Sequence, residues 1–200
     1  MCGVGEGILT SSLSLPLSLP LSACVLHVCA GVIGMYLETA KDGRRLFELL
    51  REKRAEIVRK SGLVVKSPKG DFTVPVKVVT RGSDGGPYDV IILACKAYDL
   101  PSAMDSIAPA VGKDTTIVPM LNGHAHFATL DAKFGAEKVA GGLARISGML
   151  GQNGEILHSG ASGVSFGERD GKPPRKALTE LDAACKTAGI DGGLNPNINQ

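Results

Sequence analysis

The chain has 200 residues, 44% of them hydrophobic, which is enough to bury one sizeable core. Its 22 basic and 20 acidic residues nearly balance, and it contains no tryptophan. This balance and the scarcity of aromatic residues argue against a nucleic-acid-binding protein. The 26 glycines indicate many tight turns, as α/β folds with short loops require.

The cysteines and histidines show no spacing typical of a metal site. His124 and His126 lie two residues apart with no third ligand in view, which favours loop or helix-cap positions over a metal centre. Reduced, buried thiols in a cytoplasmic protein are the simplest interpretation of the five cysteines: Cys2, Cys24, Cys29, Cys95 and Cys185.

Residues 1–23 form a low-complexity leader that we expect to be disordered, ahead of a folded domain over 24–200. Pro16 and Pro20 interrupt its leucine–serine run, which is too short and too broken to span a membrane. Residues 21–24 fit a lipoprotein cleavage box, but no basic residue precedes them. The same leader would also arise from a wrongly assigned start codon.

A short apolar strand over 25–28 is followed at once by a glycine-containing turn. Strand, glycine turn and helix form the dinucleotide-binding unit, in which backbone N–H groups and the helix N-terminus approach a pyrophosphate. The G-x-G-x-x-G pattern is incomplete, because a cysteine takes the place of its first glycine. The predicted cofactor-binding residues of the turn are Cys29, Ala30, Gly31, Val32, Ile33 and Gly34.

The charged segment 42–60 has the propensity of one continuous helix. The α/β arrangement instead requires a strand near 45–50 and a helix from about 52, and we predict that division. An acidic residue at the end of that strand would select NAD. Arg51, with Lys53 or Arg54, suits a 2′-phosphate and favours NADPH, although these charges also fit a solvated helix start.

The remaining pattern predicts a hairpin over 63–66 and 72–76, buried parallel strands over 89–94 and 115–120, and a closing helix over 172–188. Together these elements predict a Rossmann-like, doubly wound and mostly parallel sheet. Ligands bind at the carboxyl ends of such strands, where Lys96 and Asn122 follow the two buried strands.

The motifs together resemble the ketopantoate reductase (2-dehydropantoate 2-reductase) family over roughly residues 25–200. They comprise the glycine turn, Cys-Lys-Ala-Tyr-Asp at 95–99, Leu-Asn-Gly at 121–123, Phe-Gly-Ala-Glu-Lys-Val at 134–139 with the glycines at 141–142, and Phe-Gly-Glu at 166–168. The order and spacing of these motifs are more specific than any one of them.

This resemblance implies NADPH-dependent reduction of ketopantoate to pantoate, on the route to pantothenate and coenzyme A. It implies that Gly31 and Gly34 cradle the pyrophosphate and that Arg51 meets the 2′-phosphate. Lys96 would lie beside the cofactor, and Asn122 would be a polar positioner at the nicotinamide and the substrate.

Two departures from the family pattern are Cys29 at the first glycine position and a stretch from Gly34 to Arg51 that is about two residues short. In addition, the family's C-terminal helical domain supplies a general-acid lysine and a substrate-holding glutamate, and the chain ends just before that lysine. Lys96 could replace this acid only in surroundings that make its ammonium group unusually acidic.

Three functions therefore stay open: the ketopantoate reductase, a non-catalytic NADPH-binding module, and a sister reductase of another 2-oxo acid. All three bind a dinucleotide, and two take a small 2-oxo acid substrate. None involves a metal, a membrane or a nucleic acid, and the sequence does not give the oligomeric state.

Overall fold

The computed structural model of the protein describes residues 22–26, 45–49, 52–68, 70–80 and 86–199, the first two ranges as backbone only. The described elements, in chain order, are β1 (Ser22–Leu26), β2 (Arg45–Leu49), α1 (Glu52–Ser61), β3 (Leu63–Lys66), β4 (Phe72–Val74), β5 (Val78–Val79), β6 (Tyr88–Leu93), α2 (Leu100–Ile107), β7 (Val111–Pro119), α3 (His126–Phe134), β8 (Gly141–Leu150), β9 (Ile156–Gly167), α4 (Lys176–Thr187) and β10 (Asp191–Leu194). Short 3₁₀ helices at Ala97–Asp99 and Ala108–Ala110 flank α2.

The first sheet has the described strand order β5-β2-β1-β6-β7, and every pairing in it is parallel. The chain moves outward from β1 in one direction through β2 and β5, and then crosses back to β6 and β7. This order is that of a doubly wound sheet, with its reversal point between β1 and β6. The predicted Rossmann-like fold is confirmed.

Successive residues of β6 face opposite sides of this sheet, and each side has its own core. Val90 and Ile92 belong to a cluster with residues of α1, α4 and the second sheet. Ile91 and Leu93 belong to a cluster with residues of α2 and α3. All four are fully buried, which explains why this strand is a continuous apolar run in the sequence.

A second, mixed sheet packs against the first and has the order β10-β9-β3-β4, with β8 also paired to β9. β8 and β9 form a long antiparallel hairpin, whereas β3 and β10 each pair with β9 in parallel. The predicted hairpin between 63–66 and 72–76 is confirmed as the antiparallel pair β3–β4, although β4 ends at Val74.

Several predicted boundaries shift. The closing helix begins at Lys176 rather than at 172, because Pro173 and Pro174 disfavour helix in the residues before them and Arg175 is extended, with ψ 158°. β7 begins at Val111, four residues before the prediction. The division of 42–60 into β2 and α1 is confirmed.

The first strand also differs from its predicted position. β1 covers Ser22–Leu26 rather than 25–28, so it begins two residues inside the predicted leader 1–23, of which residues 1–21 lie outside the described part. Cys24 lies within β1, and its backbone is paired with Phe47 on one side and Ile91 on the other. Among the described residues, no helix is long and apolar enough to cross a membrane.

Candidate functional site at the carboxyl edge of the first sheet

Three strands of the first sheet end level with one another. The register pairs Leu26 of β1 with Leu93 of β6, and Leu93 with Pro119 of β7. The N–H of Met120 donates to the carbonyl of Leu93 at 2.8 Å, so this alignment continues past β7. Because neighbouring strands lie about 4.8 Å apart, the segments after β1, β6 and β7 leave from one edge roughly 10 Å wide.

Two of the predicted site residues lie at this edge. Lys96 follows β6 and Asn122 follows β7, and both are exposed. The predicted glycine turn, Cys29 to Gly34, follows β1 but lies outside the described residues, as does Arg51 after β2. The roles assigned to all of these residues therefore stay predictions. The places of Lys96 and Asn122 in the topology agree with a crevice for a dinucleotide.

The turn after β6 holds a thiol that is kept protonated. Cys95 is 6% exposed. Burial, with a smaller contribution from the carboxylate of Asp99, raises the pKa of the Cys95 thiol to about 11. The thiolate is the reactive form of cysteine, so Cys95 is a packing residue at neutral pH rather than a nucleophile.

The segment after β7 combines an open turn with a buried histidine. Gly123 has φ +75°, and no atom lies within 4 Å of the position that a β-carbon would take there. His126, at the first position of α3, is 6% exposed, and its Nε2 has no hydrogen-bond partner in the described part of the chain. Burial, assisted by His124 and Arg169, lowers the pKa of His126, which favours the neutral ring.

The two histidines do not form a metal site with other described residues. His124 is exposed while His126 is buried, and no group of three His, Cys, Asp or Glu side chains converges within the described ranges. A metal centre would need such convergence.

Arg169 connects helix α3 to neighbouring segments of the chain. The Nε of Arg169 donates to the carbonyl of Val139 at 2.9 Å, and its Nη2 lies 2.5 Å from Oδ1 of Asp131. Its guanidinium carbon lies 4.6 Å from the ring centroid of Phe127, a cation–π distance. One side chain thus joins the end of β9 to α3 and to the segment before β8.

A second arginine, Arg175, forms an ion pair with Glu168, the residue before Arg169, and we call this pair the Arg175 tie. Glu168 accepts three hydrogen bonds from Arg175: from its Nη2 at 2.5 Å, its Nε at 2.8 Å and its backbone N–H at 2.9 Å. The Nη1 of Arg175 donates to the carbonyl of Glu137 at 2.6 Å. The hydrogen bonds from Arg175 outweigh burial and lower the pKa of Glu168.

Sequence reasoning did not assign Arg169 or Arg175. Glu168 ends one of the family motifs, and Arg169 follows it directly, which is the only signal the sequence offers. An arginine in a polar loop ordinarily indicates a solvated surface. Its contacts with Asp131 and Phe127, nearly forty residues earlier, follow only from the fold.

A comparison with protein families shows to which family this chain belongs. The profile of the ketopantoate reductase PanE/ApbA family matches residues 29–171. The chain belongs to this family. The match includes the segments after β6 and β7, together with Arg169 and its partners, so the candidate site lies within the family's shared region.

Individual relatives agree with this assignment. An uncharacterised oxidoreductase, YkpB of Bacillus subtilis, is 36% identical over 173 residues, covering 84% of this chain and 57% of that protein. The crystal structure of 2-dehydropantoate 2-reductase from Geobacter metallireducens is 28% identical with a TM-score of 0.79, covering 88% of this chain and 58% of that one. This chain therefore spans less than two thirds of the length of either relative.

A more distant solved structure shares the fold. D-mandelate dehydrogenase, solved with NADH and anilino(oxo)acetate, shares the fold with a TM-score of 0.75 at 20% identity, covering 89% of this chain and 57% of that one. At that identity the likeness is one of fold alone.

Proposed function

We propose that this chain supplies the NADPH-binding part of a reductase that converts ketopantoate to pantoate. The observation that carries the proposal is the level ending of β1, β6 and β7, with Lys96 and Asn122 following two of these strands. Family membership supports the same reaction, because the matched region contains this edge.

The preference for NADPH over NADH depends on the residues after β2. Arg51 follows that strand, and the exposed Lys53 lies in the first turn of α1. A helix N-terminus and two cationic side chains favour a dianionic 2′-phosphate over a free hydroxyl. An NADH-dependent enzyme would ordinarily place a carboxylate at the end of this strand.

The described residues fit a nicotinamide cofactor. When bound, that cofactor supplies a hydride for the keto carbon of the substrate. The ammonium group of Lys96 compensates phosphate charge at the edge. The amide of Asn122 donates to the keto oxygen, orienting the carbonyl and stabilising the negative charge that grows on it. The open space at Gly123 leaves room for a ligand beside that amide.

A binding experiment tests the cofactor site with a matched control. Lys96→Ala removes an exposed cation at the carboxyl edge, and Lys113→Ala removes one near the amino end of β7, at the opposite edge. We expect Lys96→Ala to raise the Kd for NADPH about 5-fold, because the loss of an exposed ion pair costs up to about 1 kcal/mol. Lys113→Ala should change it less than 2-fold. Equal effects of the two substitutions would contradict the placement of Lys96.

Turnover distinguishes this reductase from the two alternatives. NADPH oxidation is followed at 340 nm with ketopantoate and with other branched 2-oxo acids, for the 200-residue chain and for a C-terminally extended form. Activity on ketopantoate supports the proposal, and Asn122→Ala should then lower kcat on the order of 100-fold. Preference for another 2-oxo acid favours the sister reductase. NADPH binding without turnover in either form favours the non-catalytic module.

A further inference from the structure

Tyr98 is a large aromatic side chain left in solvent at the candidate site. It is 82% exposed, whereas Tyr88, at the start of the same strand–turn unit, is 2% exposed. Five large apolar residues are exposed in the described part of the chain, and Tyr98 is the aromatic one among them. Single exposed apolar residues are common, so the position of Tyr98 carries the argument rather than its exposure alone.

The turn that bears Tyr98 is held in place on both sides. It is the middle residue of the 3₁₀ helix Ala97–Asp99, which is closed by a 2.9 Å hydrogen bond from the N–H of Asp99 to the carbonyl of Lys96. The hydroxyl of Ser102 donates to the carbonyl of Asp99 at 3.0 Å. Buried Leu100 begins α2 directly after the turn. A ring on such a fixed element binds a ligand at a low cost in conformational entropy.

The turn also lies at the reversal point of the sheet. β6 is the neighbour of β1 on the side where the strand order changes direction, and Tyr98 follows the last residue of β6 by five positions. Ligands of doubly wound sheets occupy the crevice that opens at this point. Lys96, in the same turn, is exposed and cationic. A flat aromatic ring and a cation in one turn match a heteroaromatic ring that is linked to phosphate groups.

We propose that Tyr98 stacks on a heteroaromatic ring of the bound dinucleotide, either its adenine or its nicotinamide. The inference rests on the proposed function, since it requires that the chain bind NADPH. It adds a contact that Lys96 and Asn122 do not provide, because those two residues bind phosphate and carbonyl groups. The phenyl ring of Tyr98 supplies the interaction, and its hydroxyl is not needed for stacking.

The test compares three variants by titration with NADPH. Tyr98→Ala should raise the Kd roughly 5- to 150-fold, the range for loss of one base–aromatic stack. Tyr98→Phe keeps the ring and should stay within about 2-fold of the wild type. The control is Met149→Ala at the far end of β8, where Met149 is 64% exposed, and it should also stay within 2-fold. Unchanged binding by Tyr98→Ala would overturn the inference.

Titration with 2′,5′-ADP and with nicotinamide mononucleotide identifies the ring. The half of the cofactor that binds more weakly to Tyr98→Ala than to the wild type is the half that stacks on the ring. If neither half binds more weakly to the variant, the result counts against stacking. Tyrosine fluorescence gives a second reading, because the chain has three tyrosines and no tryptophan. NADPH should quench less emission in Tyr98→Phe than in the wild type, and undiminished quenching contradicts the contact.

The two proposals fail in different ways. If the wild-type chain does not bind NADPH at all, the proposed function fails together with this inference. If the wild type binds NADPH and Tyr98→Ala binds it equally well, the proposed function stands and only the role of Tyr98 is refuted. Circular dichroism of each variant confirms that an altered Kd does not come from unfolding.

Discussion

Neutralising Glu168 should lower the free energy of unfolding, because the Glu168 carboxylate accepts three hydrogen bonds from Arg175. The Glu168 side chain is 9% exposed and the Arg175 side chain 30%, so solvent screens the pair only in part. In Glu168→Gln one oxygen can still accept, but the amide NH₂ faces the donating Nη2 and the charge is gone. Loss of one charge-assisted hydrogen bond corresponds to about 2 kcal/mol of unfolding free energy.

The matched control is Glu180→Gln on α4. Glu180 lies 3.5 Å from Lys176, whose side chain is 77% exposed, so this pair contributes no more than about 0.5 kcal/mol. Both variants are compared with the wild type by urea unfolding followed by circular dichroism, with an unchanged m-value as the sign of two-state behaviour. Equal stabilities of the two variants would refute the assignment of the tie to Glu168.

The pH dependence of this difference gives an independent check. Arg175 lowers the pKa of Glu168 in the folded protein, so the unfolded chain takes up the proton first as the pH falls. The stabilisation by the pair is therefore complete well above the ordinary glutamate pKa of about 4.3 and is lost as the pH falls through the lower folded value. A difference between wild type and Glu168→Gln that stays constant from pH 7 to pH 3 would contradict this linkage.

Three further predictions concern single residues. Gly192→Ala should cost about 3 kcal/mol or more in urea unfolding, because φ is +92° and a β-carbon would lie 2.0 Å from the carbonyl oxygen of Val164. Gly171→Ala, with φ +72° and no atom within 4 Å, should cost about 1–2 kcal/mol, and similar losses would argue against the close contact. Cys95, with its pKa near 11, should resist iodoacetamide at pH 8 in the native protein but react in urea, as peptide mass spectrometry would show. Because burial lowers the pKa of His126, stability should fall as the pH drops from about 6.5 toward the lower folded value. His126→Asn should flatten that part of the pH profile, and an unaltered profile would refute the role of this histidine.

The sequence predicted an element best where the pattern of apolar residues in that element matches its burial in the fold. β6 is buried on both faces, so its apolar run is visible without any structure. The division of 42–60 into β2 and α1 required the α/β arrangement of the whole chain, because helix propensity alone favours one helix there. Lys96 and Asn122 could be placed because a residue that follows a parallel strand lies at the binding edge whatever its side chain.

Beyond the β3–β4 hairpin, the strands of the second sheet could not be predicted, for a physical reason. β8 begins with two buried glycines and ends with exposed Met149 and Leu150, so it has no alternation of apolar and polar residues. β10 contains two glycines with positive φ, which ordinarily indicate a turn. At Gly192 the absence of a β-carbon is what permits close approach to Val164, a requirement set by the partner strand. Likewise, the burial of His126 and the exposure of Tyr98 depend on how residues that are distant in the sequence pack around each of them.

The central position of β1 has a consequence for how the protein is made. The register joins Ala23 to Val90, so the middle of the sheet connects segments that the ribosome produces on the order of ten seconds apart. Until β6 emerges, β1 and β2 present an unpaired parallel edge, which is a template for pairing with another nascent chain. Chaperone demand during synthesis should therefore depend on the time between the emergence of β2 and that of β6, and synonymous codons that slow translation between them should lower the soluble yield.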